Sequence, residues 1–211
     1  MLTLYDFDLS AECYAVRLLA ALLGVDLDIR RIDVYPGREQ EGEAFLAVNP
    51  LGTLPALDTG AAVLTDWQAM LVHLARHFDP DGGWCPSDEV RRLEWFGVAR
   101  RLGGSAGLAR LHDGTGEDAD IDRCRAEAHR LLRVLERHIW FGERDGRDWL
   151  LPADRPSICD IAIFVHVILC EEGGIERMDY PAVRRWTDRV RRIAGFVPMS
   201  GIFPLAPLVA A

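Results

Sequence analysis

The chain has 211 residues, 49% of them apolar and 27% charged, with a formal net charge of −9. That length and composition fit a soluble globular protein of one large or two small domains with a full core. The acidic balance argues against a nucleic-acid partner, which needs a basic face, and against a polybasic membrane anchor, but leaves room for one small anionic ligand at a helix N-terminus.

All 24 basic residues are arginine, so no catalytic or Schiff-base lysine exists; the bias fits a GC-rich bacterial genome. Five cysteines (Cys13, Cys85, Cys124, Cys159, Cys170) are scattered without a C-x-x-C, so neither a zinc site nor a dithiol motif is spelled out. An odd number, with no signal-peptide pattern at the start, fits a reducing cytoplasm. The longest apolar run, 161–170, is too short to span a bilayer.

In chain order, residues 2–5 read as a strand and 10–23 as a helix closed by Gly24. Leu27, Ile29, Ile32 and Val34 give a second strand, and 41–48 a short helix ended by Asn49-Pro50. Residues 55–57 and 62–64 flank the turn Asp58-Thr-Gly60 as a hairpin. Trp67, Met70, Leu71, Leu74, Ala75 and Phe78 make one apolar stripe on a helix over 66–77. The order β-α-β-α-β-β-α predicts a small mixed sheet whose first strands are parallel.

The turn-rich stretch from Asp79 to Gly83 marks a linker over 81–87. It separates an α/β domain at 1–80 from an all-helical domain at 88–211. Helical patterns cover 88–102, 120–141 and 181–193. Ser157-x-x-Asp160 is a capping signature before the apolar run 161–170, predicted to be the core helix of the second domain. The tail 202–211 is apolar and predicted to pack as coil.

Two positions could carry chemistry. Ser10 stands between the first strand and its helix, where a hydroxyl and free N–H groups can meet an anion and stabilise a thiolate; it also reads as an ordinary N-cap serine. Pro55 directly precedes a strand. A cis Leu54–Pro55 peptide would leave Leu54's backbone free to meet an extended peptide, while a trans proline opening an edge strand is the plain alternative.

The pattern Leu4-Tyr5, Ser10-x-x-Cys13-x-x-Val16-Arg17, Asn49-Pro-Leu-Gly-Thr-Leu-Pro55 and Leu64-Thr-Asp-Trp67 resembles the N-terminal domain of soluble glutathione transferases. Ser157-x-x-Asp160 resembles the capping motif of their C-terminal domain. Order and spacing agree over nearly the whole chain, closest to serine-type bacterial enzymes, with some likeness to the zeta class.

The resemblance implies a thioredoxin-like domain followed by a helical bundle, with glutathione as co-substrate, no metal, and a homodimer. It implies that Ser10 stabilises the glutathione thiolate for attack on an electrophilic small molecule. Thr53, Leu54 and Pro55 would hold the cysteinyl part, Leu54 through its backbone. Asp66 would accept from the γ-glutamyl ammonium, and the Trp67 N–H would donate to its carboxylate.

Trp67 departs from the family pattern, which has serine there. The missing hydroxyl costs a charge-assisted hydrogen bond of about 1.5–3 kcal/mol, roughly tenfold to a hundredfold in affinity. Two rival readings follow: a glutathione-dependent cis–trans isomerase of the maleylacetoacetate isomerase kind, and a non-catalytic binding module motivated by Trp67. With Ser10-Ala-Glu-Cys13, no dithiol cycle can close, and Cys13 reads as a small buried residue. Arg17 reads as a structural ion-pair partner. His73 and His77 have a metal-capable spacing but no third ligand nearby. Position alone makes Arg100, Arg101 and His112 candidates to line a second-substrate pocket.

Overall fold

The computed structural model describes residues 1–199 and 202. β1 (Leu2–Asp6) runs parallel to β2 (Leu27–Arg31), with Leu2 opposite Leu27. Parallel neighbours need a crossover, supplied by α1 (Ala11–Leu22). The hairpin β3 (Ala56–Asp58) and β4 (Val63–Leu64) turns at Gly60, whose φ of +80 suits glycine, and gives the sheet order β2-β1-β3-β4. β3 is antiparallel to β1, so the sheet is mixed.

Two predicted elements are shorter than the sequence implied. The second strand ends at Arg31, and Ile32 turns into a small cluster with Phe45 and Ala56. The helix expected over 41–48 is a 3-10 turn at Glu39–Glu41 and a one-turn α2 (Glu43–Leu46). Gly42 divides them in extended backbone, with φ −75 and ψ 150.

α3 (Trp67–Phe78) buries Met70, Leu71, Leu74 and Ala75, the middle of its predicted stripe. Then follow α4 (Glu89–Leu102), α5 (Leu108–Thr115), α6 (Ile121–Arg144), α7 (Ile158–Ile168) and α8 (Pro181–Val190). No strand follows β4 among the described residues. Three of these helices begin on an aspartate whose carboxylate accepts from the N–H three residues on: Asp66 from Ala69, Asp88 from Arg91, Asp120 from Arg123.

Periodicity predicts no element between 103 and 119. The chain there instead makes a π turn, Gly103–Gly107, and α5. The glycines here let this turn lie against His166 of α7: a Cβ on Gly103 would stand 3.3 Å from its ring. The predicted apolar tail lies outside the described residues except for Ile202, which is buried.

α7 is buried from Ile158 to Val167 and is the axis of the core. Its start is fixed by Asp160, which accepts from Ser157 N and Oγ, Leu150 N and Trp186 Nε1 at 2.9–3.0 Å. A fully buried carboxylate is tolerable only with such a set of donors. α7 packs on α4 and α8 and also on α1 and α3, so one apolar cluster runs from the sheet into the helices. The seam between the halves therefore holds its groups in fixed relation, which a site built from both halves requires.

Candidate active site

α1 begins where β1 ends, and Ser10 is its N-cap. Ser10 Oγ accepts from Cys13 N at 3.1 Å and donates to Glu12 Oε2 at 3.0 Å. The Ala11 and Glu12 N–H groups have no acceptor within the helix, so positive potential gathers at this end. The two sequence readings of Ser10 meet: it is an N-cap, and it opens onto a cavity of about 470 Å³.

Thr53 and Leu54 line the same cavity. Buried Asn49 shapes their loop: its Nδ2 donates to Thr53 O at 2.7 Å and to Thr53 Oγ1 at 3.1 Å, and its Oδ1 accepts from Leu51 N. The Leu54–Pro55 peptide is cis, and the β ladder starts only at Ala56. Leu54 therefore offers its backbone groups beside Ser10.

The second half supplies the opposite wall. Gly103, Gly107, Arg110, Val165 and His166 line it. Arg110 is the cavity's arginine, held by Glu172 Oε2 and Leu9 O, both at 2.5 Å. The arginines expected there by position are elsewhere: Arg101 pairs with Glu127, and Arg100 with Asp66. His112 does not line the cavity either; its Nδ1 faces Glu117 O at 2.7 Å.

Asp66 and Trp67 stand at the start of α3, outside that cavity. Asp66 caps the helix through Oδ1 and meets Arg100 Nη2 through Oδ2 at 2.9 Å. Arg100 Nε donates to Gln68 Oε1, and Gln68 Nε2 donates to Phe96 O, both at 2.9 Å. Gln68 is buried, and its polar tie to α4 left no periodic signal in the sequence. The Trp67 indole, half-buried, meets the His166 ring edge-on, with centroids 5.8 Å apart. It packs behind the cavity wall and does not fill the cavity.

Two groups that sequence reasoning missed are Glu12 and His166. Glu12 reads as a first-turn acidic residue and His166 as one polar interruption of an apolar helix. Burial pushes the His166 imidazole below its ordinary value, Glu12 opposes this and Arg110 adds to it. Cys13 is fully buried, its thiol pushed up to about 12, chiefly by desolvation. Arg17 pairs with buried Asp6, as expected of a structural ion pair. His73 and His77 are ring neighbours on α3, and no group of three or more potential metal ligands occurs among the described residues. A larger cleft of about 1010 Å³ lies between α4 and α6 and touches neither Ser10 nor Leu54.

A helix N-cap hydroxyl facing a cis-proline loop across a cavity closed by a helical bundle defines a protein with a thioredoxin-like first half and an all-helical second half. Comparison with known proteins makes this specific. The glutathione S-transferase N-terminal domain family matches residues 9–77, and the C-terminal domain family matches 118–189. Glutathione S-transferase 2 of Anopheles gambiae is 32% identical over 194 residues, covering 88% of both chains. A glutathione S-transferase structure from Pseudomonas fluorescens superposes with a TM-score of 0.81 at 25% identity, covering 94% of this chain and 98% of that one. A transferase homologue from Lodderomyces elongisporus, solved with two glutathione molecules per subunit, shares the fold at a TM-score of 0.78 and 18% identity, over 92% and 94% of the chains. The chain belongs to the glutathione S-transferase family.

Proposed function

We infer that the chain is a serine-type glutathione transferase. Glutathione lies with its cysteinyl backbone along Leu54 and its sulfur at Ser10, and its thiolate attacks an electrophile held in the cavity against α5 and α7. The thiolate is stabilised by the Ser10 hydroxyl and the amino end of α1. Thr53 and Pro55 shape the strand-like side of the site. Asp66 and the Trp67 N–H receive the γ-glutamyl end, with Asp66 held by Arg100.

The observation that carries this reading is that Ser10 and Leu54, far apart in sequence, line one cavity with the helical half. A related fold solved with glutathione supports the choice of thiol. The working division is 1–80 for glutathione, 81–87 as linker and 88–211 for the second substrate. Exposed Val90 and Leu93 on α4, 69% and 58% accessible, support a homodimer. The scattered, odd-numbered cysteines support a cytoplasmic setting, and the arginine-only basic residues support a bacterial source.

Ser10→Ala tests the reading. Conjugation of glutathione to an aryl halide should fall about 100-fold with the fold intact by circular dichroism. Unchanged turnover would remove Ser10 from the mechanism. Turnover of an unsaturated dicarboxylate with no conjugation of the halide would favour the isomerase instead.

A further inference from the structure

Ser10 has a single hydroxyl hydrogen, and Glu12 Oε2 takes it at 3.0 Å. A bound thiolate needs that same hydrogen. A carboxylate beside the sulfur would also oppose the thiolate's charge. Both conflicts vanish if the carboxylate accepts the thiol's proton.

Beyond Glu12 stands His166. Its side chain is 1% exposed, and its Nε2 lies 3.9 Å from Glu12 Oε1. Neither ring nitrogen has a hydrogen-bond partner, and the ring lines the cavity. Leaving buried polar atoms unpaired is costly, so a histidine kept here gains its partner in another state of the site. Gly103 of the π turn lies alongside this gap: a Cβ there would be in contact with both Glu12 Oε1 and His166 Nε2 at 3.5 Å. The charged groups facing His166 are Glu12 from α1 and Arg110 from α5; Trp67 from α3 and the glycines of the π turn bring none. Burial keeps the imidazole neutral, which leaves one ring nitrogen able to accept a hydrogen bond.

We propose that Ser10, Glu12 and His166 form a proton relay that deprotonates bound glutathione, an inference resting on the glutathione reading above. The thiol S–H bond breaks and its electron pair stays on sulfur. The hydrogen joins Ser10 Oγ as Ser10's own hydrogen passes to Glu12 Oε2. The products are a thiolate, a serine hydroxyl now directed at it, and a neutral carboxyl. A half-turn of that carboxyl brings its O–H to His166 Nε2, which accepts. The proton stays on Glu12, donated to His166, until the thiolate has attacked the electrophile, and then leaves to water from Glu12, whose side chain is 33% exposed. Glu12 is the proton acceptor, and His166 is a positioning residue acting through it.

The test compares the full chain with Glu12→Gln, His166→Gln and the double variant. Three quantities are read: glutathione affinity by calorimetry, thiolate formation by ultraviolet absorbance against pH, and the pH profile of kcat/KM with an aryl halide. Glutathione should bind all four proteins with similar affinity. In Glu12→Gln the thiolate should appear at higher pH, and kcat/KM on the acid side should fall about 100-fold. His166→Gln should move both in the same direction by less. The double variant should be no worse than Glu12→Gln alone, because His166 acts only through the carboxylate. Variants that bind glutathione and keep the wild-type pH profile overturn the relay alone, and so does an additive double variant. Absence of glutathione binding by the wild-type chain overturns the functional reading together with the relay.

Discussion

Arg100 of α4 donates to Asp66 at the start of α3, Nη2 to Oδ2 at 2.9 Å, tying the helical half to the residue proposed to receive the γ-glutamyl ammonium. Both side chains are well exposed, so the pair itself adds at most about 1 kcal/mol to stability. Its worth lies in aim: Arg100 also holds Gln68, fixing the first turn of α3. Arg100→Leu should therefore leave the urea midpoint nearly unchanged while KM for glutathione rises about tenfold at similar kcat. An equal loss in kcat would place Arg100 in the chemical step instead.

Trp67 separates packing from binding. Its indole closes the space behind His166, so Trp67→Ser should cost about 2–3 kcal/mol in urea denaturation. The same change restores the hydroxyl expected from the family pattern beside free helix N–H groups. Glutathione should then bind about tenfold more tightly by calorimetry, despite the weaker fold. Weaker binding would mean that the indole itself shapes the γ-glutamyl pocket.

What was legible in the sequence divides along physical lines. Ser10 and the Leu54–Pro55 step could be singled out because local rules govern them, a cap before an amphipathic helix and a proline before a strand, although those rules left the peptide open between cis and trans. The capping pair Ser157 and Asp160 was legible for the same reason. Glu12, His166 and Gln68 were not: His166 and Gln68 meet groups on other elements, a lone polar residue on an apolar helix carries no spacing, and an acidic residue in a first turn is ordinary whether or not it meets the cap serine. α5 was hidden by glycines whose role is close approach to His166. The expected pocket arginines, Arg100 and Arg101, missed by nine or ten positions: Arg110 faces the cavity, and its direction depends on a π turn that periodicity does not foresee.

The pair of Arg17 with Asp6 gives a stability prediction independent of catalysis. Asp6 is buried at the end of β1, and burial raises its carboxyl above the ordinary range despite the guanidinium. Removing Arg17 leaves that carboxylate without its counter-charge, so Arg17→Met should destabilise by about 3–5 kcal/mol. Asp6→Asn in the same chain removes the stranded charge, and the double variant should recover much of the loss. A double-mutant cycle from urea midpoints reads the coupling; additive losses would show the two side chains to be energetically independent.

The buried thiols set the alkaline limit of the fold. Desolvation pushes Cys13, Cys159 and Cys170 each up to about 12, from 9.0 when exposed. The folded state thus holds these protons more tightly than the unfolded chain. The stability this confers is complete below pH 9 and is lost as pH rises from 9 toward 12, because the unfolded chain ionises first. Each thiol contributes on the order of a few kcal/mol over that range. Tyr14 acts in the same sense above pH 10, its hydroxyl raised by burial. Urea midpoints should therefore fall between pH 9 and 11, and less steeply in Cys13→Ala, which removes one of the linked groups. At pH 8 a disulfide reagent should react fast only at Cys85, the one cysteine that is not buried, and at the others only as the protein unfolds. Rapid labelling of Cys13 in the folded protein would contradict the packing at the start of α1, on which the alignment of Ser10 with the cavity depends.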